Sequence, residues 1–146
     1  MKEQLLNDIA GLAGMPLIGI VFLLFLILGK YSSAKQLFVG IFIAVLLTVI
    51  IRTIYFKLRP NKQKAKNFLQ RLDVSSFPSL HSMRAAVVAV IVGNIFQNNL
   101  VCVLLSLGVI SVGTARVLLK KHHLSDVIAG IISGLIIGFA VITLLP

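Results

Sequence analysis

Hydrophobic and polar positions alternate along this chain in blocks of membrane length rather than in the short periods of a water-soluble fold. No charged residue occurs between Asp8 and Lys30, and a helix over residues 9–29, rising about 1.5 Å per residue, spans a hydrocarbon layer of about 30 Å. A second apolar block covers about residues 37–56. The uncharged stretch 85–115 holds a third and a fourth, divided by the polar run Gln97, Asn98, Asn99, and a fifth covers about residues 127–145. The pattern predicts an all-α integral-membrane protein, a bundle of about five transmembrane helices forming a single domain over residues 1–146. The first block follows an acidic as well as a basic residue and is too long for a signal-peptide core, so it is expected to be retained. Arg52 is tolerable one turn from the interface or facing the bundle interior.

Five crossings fix a parity. The N-terminus, the loop around residues 57–80 and the loop around 117–125 share one side, and all the unusual polar residues fall there: Lys57, Arg59, Pro60, Pro78, Ser79, His81, Arg116, His122, His123 and Asp126. Small residues suggest which helix faces turn inward. Asp126, Gly130, Gly134 and Gly138 recur every four residues, as do His81, Ala85, Ala89 and Gly93, and such stripes let a neighbouring backbone approach closely. Packing explains the glycines. It does not explain why an ionisable residue heads each stripe, and both Asp126 and His81 are expected to face the bundle.

Composition agrees. Of 146 residues 58% are hydrophobic and 12% charged, and the mean hydropathy of +1.04 is that of a membrane protein. Lys and Arg number 14 against 4 Asp and Glu, a bias that favours anionic lipid head groups or phosphorylated substrates. Nucleic acid is excluded as a partner because the cations border lipid-length apolar runs and form no continuous exposed face. The single Cys102 rules out an internal disulfide and sits in an apolar run as a packing residue.

Three clusters, residues 52–60, 78–81 and 116–126, gather three arginines, two histidine sites and one carboxylate on one side of the membrane. Arginine forks clamp phosphate oxygens. One histidine can attack phosphorus, a second can protonate the departing oxygen, and a carboxylate can hold the nucleophile's tautomer. Singly, each element has a plainer use, such as an arginine anchoring a helix end; their convergence points to phosphoryl transfer. A small anion transporter or a lipid-binding membrane subunit would also place arginines inside a bundle, but it has no need of a His paired with Asp at catalytic spacing.

These residues resemble the type 2 phosphatidic acid phosphatase superfamily, whose three motifs are Lys-x6-Arg-Pro, Pro-Ser-Gly-His and Ser-Arg-x5-His-x3-Asp. Here the first is Arg52, six residues, Arg59-Pro60; the second is Pro78-Ser79-Leu80-His81; the third is Ala115-Arg116, five residues, His122, three residues, Asp126. Arg52 stands for Lys with a different donor geometry, Leu80 for Gly, and Ala115 for Ser with the loss of one hydroxyl. The adjacent Thr114 points elsewhere on a helix and is no substitute.

The resemblance implies that His122 is the nucleophile, Asp126 orients and charges it, and His81 protonates the leaving group. It implies too that Arg52, Arg59, Ser79 and Arg116 hold the phosphate, helped by backbone N–H groups at the start of a helix. His123 is a rival nucleophile that helix geometry alone barely separates from His122; the family spacing selects His122. Arg84, one turn beyond His81, offers either a further phosphate contact or an interfacial anchor, the commoner use of such an arginine.

The implied activity is metal-independent hydrolysis of a phosphomonoester or pyrophosphate on a lipid through a phosphohistidine, with no cofactor. Polyprenyl pyrophosphate, phosphatidylglycerol phosphate, phosphatidic acid and lipid A 1-phosphate are the candidate substrates. The expected location is the plasma (inner) membrane with the site on the extracytoplasmic side. The positive-inside rule argues the reverse from the basic loop 57–71, but phosphate-binding cations contaminate that count. Within residues 61–77, Phe68, Leu69 and Leu72 at helical offsets and Lys62, Lys64, Lys66 and Arg71 between them suggest a helix lying at the interface, along which a lipid could arrive sideways.

Overall fold

The computed structural model describes residues 2–61 and 67–145 and is helical almost throughout. The first apolar block is two helices rather than one: α1 (Lys2–Gly11) and α2 (Met15–Ile27). The cause is local. Gly14 caps α2 in extended conformation with Pro16 in the first turn, where its missing N–H costs nothing. Together the two still cover a membrane-spanning length, Lys2–Ile27. Gly29 then takes a left-handed φ of 67°, the Lys30 N–H returns to the Phe25 carbonyl at 2.8 Å, and the chain reverses in a glycine cap.

α3 (Tyr31–Ile54) crosses back towards the polar side. After the short α4 (Phe68–Val74), α5 (Leu80–Phe96) and α6 (Asn99–Leu118) form the pair expected from the Gln97–Asn99 turn. The Asn98 side chain caps α6, accepting from the Leu100 and Val101 N–H groups. α7 (Leu124–Leu144) is the last crossing. Four crossings have full membrane length and α5 is a shorter apolar helix, so the bundle has the five crossings predicted. Of the expected interfacial helix only α4 is described; Lys62, Lys64 and Lys66 lie outside the described residues.

α5 is the central helix, packed on α7, α6 and α3. The core it shares with α3 and α7 includes Leu37, Ile41, Ala44, Met83, Val87, Ile91, Ile137 and Val141. Large apolar side chains such as Phe38, Phe42, Leu104, Leu107, Ile132 and Ile136 are exposed on the outside, where water would be costly and lipid is not.

The glycine stripe of α7 is the seam against α5. A Cβ at Gly130 would lie 2.5 Å from the Ser79 carbonyl oxygen, and one at Gly134 would collide with the Met83 carbonyl. The α5 stripe sits differently from its prediction. Ser82, Met83, Ala86 and Val87 are the buried side of α5, whereas His81, Ala85, Ala89 and Gly93 are half-buried. The Gly93 position faces Cys102 and Leu105 of α6. The reason is that the glycines of α7 let it approach closely and seat against Ser79, Met83, Ala86 and Val90 instead.

Candidate active site

The three sequence clusters meet at one end of the bundle, and hydrogen bonds between them hold the meeting together. Arg52, in the last turn of α3, is buried and donates from Nη1 to the Leu72 carbonyl (2.8 Å) and from Nη2 to the Pro78 carbonyl (3.1 Å). This ties the first cluster to the second. The Ser79 N–H donates to the Asp126 carbonyl at 2.9 Å, tying the start of α5 to the first turn of α7. Arg59 donates to the Asp73 carbonyl and its guanidinium stands 3.8 Å from the Asp73 carboxylate. The Asn61 N–H donates to the Lys120 carbonyl, and a single antiparallel bridge joins Leu58 to Ser75.

His122, in the turn between α6 and α7, is 2% exposed. Its Nδ1 lies 2.6 Å from the Ser76 carbonyl oxygen, and its Nε2 lies 3.5 Å from Nη2 of Arg116. A carbonyl only accepts, so Nδ1 carries the proton and the Nε2 lone pair faces the arginine. Burial and the Arg116 charge, with smaller contributions from Arg52 and Arg59, push the ring pKa down from 6.5 to about 3 against the pull of the Ser76 carbonyl. The ring is therefore neutral at ordinary pH, the form a nucleophile needs.

His123 differs. It is exposed, its Nε2 is 3.2 Å from the Leu58 carbonyl, and it forms the N-cap of α7 in a reciprocal capping box with Asp126. The two neighbouring histidines are thus separated by their surroundings: one ring buried beside an arginine, the other at a helix cap.

Asp126 is fully buried, but its hydrogen bonds are not those expected. Lys57 Nζ lies 2.5 Å from Oδ1, and the His123 N–H donates to Oδ2 at 2.8 Å. The expected contact with His122 is absent among the described residues, because the Ser76 carbonyl occupies Nδ1. Lys57 also reaches Ser125 Oγ at 2.9 Å; the sequence places it among the polar residues of this side but gives it no role. It is the only charged residue between Arg52 and Arg59, a signal available in the sequence.

His81, at the start of α5, is half-buried. It is close enough to Arg116, Arg84 and Arg52 for their charges to act on it. Ser79 is completely buried as the N-cap of α5, its hydroxyl 2.9 Å from that of Ser82, so its side chain faces the helix. Ala115 is buried and Thr114 exposed, as the helix geometry requires. Arg84 is 6% exposed; it is no anchor reaching for water. Among the described residues the buried Nε atoms of Arg52, Arg84 and Arg116 have no hydrogen-bond partner. Buried donors are normally paired, and an anion is the group that several unpaired guanidinium donors at one place suit best.

The model of the PAP2 superfamily matches residues 33–146. The fold is that of the Aquifex aeolicus LpxE crystal structure (TM-score 0.82, 21% identity, covering 97% of this chain and 85% of that one). It is also that of a PAP2 type phosphatidylglycerolphosphate phosphatase from Bacillus subtilis (TM-score 0.79, 24% identity, covering 97% and 75%). The chain belongs to the PAP2 superfamily and is a membrane lipid phosphatase.

Proposed function

We propose that the protein releases phosphate from a phosphorylated lipid through a phosphohistidine formed on Nε2 of His122. The observation that carries this reading is the orientation of that ring, with Nδ1–H given to Ser76 and Nε2 turned to Arg116. Nε2 attacks phosphorus, the bond to the lipid oxygen breaks, and His81 protonates the departing oxygen. Water then cleaves the N–P bond and His81 takes up its proton. Arg116 meets the phosphate directly. Arg52 and Arg59, whose guanidiniums hold the loop by its carbonyls, contribute their charge; Ser79 sets the start of α5, whose first N–H groups face the same anion. Asp126 acts through Lys57 and the His123 cap rather than on the nucleophile.

One solved relative is named a phosphatidylglycerolphosphate phosphatase, and that lipid, lipid A 1-phosphate, phosphatidic acid and a polyprenyl pyrophosphate make the test panel. Phosphate release by the purified protein in EDTA is expected from at least one of them. The donor set motivates the chelator: the one buried carboxylate, Asp126, is already taken by Lys57, where a hard cation would want several oxygens. No release from any lipid, or release only on adding magnesium, would overturn the reading.

We read residues 2–32, which precede the matched family region, as part of the same single domain, a reading supported by the packing of α1 on α6 and of α2 on α3. We place the site on the outer face of the plasma membrane, because Arg52, Lys57, Arg59, Arg84 and Arg116 serve the site and drop out of the charge count. The cations that remain there, including Arg71, Lys120 and Lys121 against Lys30 and Lys35 opposite, are the strongest argument against it. A cysteine at Lys62 in a Cys102→Ser background decides: labelling of intact cells by an impermeant maleimide is expected, and labelling only after lysis reverses the orientation.

A further inference from the structure

The four arginines of the site, three of them buried and Arg116 half-buried, are not equivalent. Arg52 and Arg59 donate to main-chain carbonyls of the loop. Arg116 has one long contact, to Nε2 of His122. Arg84 donates to nothing among the described residues, although it is 94% buried by its relative exposure of 6% and its Nε is sealed from solvent. Its charge acts on Arg116 and on His81, so two guanidiniums that repel one another are held within range, and among the described residues no carboxylate pairs with Arg84. Asp126 is matched by Lys57, and Asp73 lies exposed beside Arg59.

Arg84 follows His81 by three residues on α5. Side chains on a helix lean towards its N-terminus and residues three apart share a face, so the Arg84 guanidinium rises towards the His81 ring. If His81 serves the departing oxygen, the charge beside it lies on the leaving side of the scissile bond. An alcohol leaving group needs a proton there. A phosphate leaving group brings a further negative charge and needs a cation.

We propose that Arg84 binds the inner phosphate of a lipid diphosphate, making the site selective for the anhydride over a simple monoester. This rests on the phosphatase reading above. In the step, Nε2 of His122 bonds to the outer phosphorus while the bond from that phosphorus to the bridging oxygen breaks. The bridging oxygen leaves on the lipid monophosphate, taking the His81 proton, with Arg84 neutralising its phosphate. Water then divides the phosphohistidine into histidine and inorganic phosphate, its proton returning to His81.

The test compares a polyprenyl diphosphate with the monophosphate of the same chain, using the purified full-length protein and following phosphate release. The wild type is expected to favour the diphosphate. Arg84→Gln should slow both but cut that preference at least tenfold, and Arg84→Lys should restore part of it. A non-hydrolysable methylene-bridged lipid diphosphonate should inhibit the wild type at least tenfold more strongly than the matching monophosphonate, which holds the proposal to account even if the variants fold badly. Equal losses on both substrates, no loss on either, or equal inhibition by the two analogues would overturn it. A wild type that cleaves monophosphates alone refutes this inference and leaves the phosphatase reading standing; one that cleaves no lipid phosphate refutes both.

Discussion

The Nδ1 atom of His122 is held 2.6 Å from the main-chain carbonyl of Ser76, two residues before Pro78. A backbone acceptor fixes the tautomer as firmly as a carboxylate does, but it brings no negative charge to stabilise an imidazolium. The ring is therefore oriented by the loop it faces, and the loop is in turn held by Arg52 through the Leu72 and Pro78 carbonyls. The positive charge that develops on His122 during attack must be offset by the incoming phosphate itself.

His122→Asn should lower turnover by about 10³-fold or more, the scale on which removing a nucleophile acts, and should abolish the acid-labile phosphoenzyme trapped from labelled substrate. His123→Asn should keep most activity, since Asn is a good N-cap and can continue to cap α7. A phosphoenzyme that survives His122→Asn and is lost in His123→Asn would reverse the assignment.

The His122 pKa of about 3 has two consequences of stated sign. The folded ring stays neutral between about pH 3 and the ordinary imidazole range while an unfolded chain would take up a proton, so this residue's contribution to stability falls as pH drops through that window. For catalysis, Arg116→Gln removes a charge that lowers the pKa, so the pKa rises and the acid limb of kcat/KM moves to higher pH. The substrate's own ionisation, near pH 6 for a phosphate monoester, is common to both enzymes and drops out of the comparison. An acid limb unmoved or shifted downward in Arg116→Gln would refute the electrostatic account of His122.

The sequence made the crossings legible because a membrane demands long uncharged runs, and the Gln97–Asn99 turn interrupted the longest of them. It also made the gathering of the clusters legible through parity: odd and even crossings put residues 52–60, 78–81 and 116–126 on one side. What it hid were relationships without a side-chain signature. No residue type reports that the Ser76 carbonyl points at His122, and a carboxylate four residues away was the natural partner to expect. Lys57 stood in view among the polar residues of that side, but the arginines around it matched the familiar spacing and left it without a role. The break between α1 and α2 was visible only as Gly11, Gly14 and Pro16 in a run with no charge to draw attention to them.

Lys57→Met should leave the Asp126 carboxylate buried without its cation. Losing a hydrogen bond to a charged group costs about 1.5 to 3 kcal/mol, and thermal unfolding in detergent should fall accordingly. In Asp126→Asn the charge is gone, so adding Lys57→Met there should cost clearly less than it does alone. Additive losses in the double variant would mean that the 2.5 Å contact carries no coupling energy.

The α5–α7 seam predicts that two glycine-to-alanine changes of identical chemistry will act in opposite directions. Gly134 faces the Met83 main chain, and a Cβ there meets the Met83 carbonyl and, at 2.8 Å, the Ala86 methyl; a helix backbone cannot yield as a flexible side chain can. Gly134→Ala should therefore destabilise by about 1 to 3 kcal/mol, the usual cost of overpacking. It should lower activity too, because the same seam carries His81 on one helix and Asp126 on the other. At Gly108, in α6, a Cβ meets nothing within 4 Å. Gly108→Ala should stabilise by about 0.5 to 1 kcal/mol through the ordinary helical preference for Ala over Gly and leave catalysis alone. Thermal unfolding and phosphate release measured on both variants test the pair. If Gly134→Ala proved as benign as Gly108→Ala, the close approach of α7 to α5 would be wrong, and with it the placement of Asp126 against the start of α5.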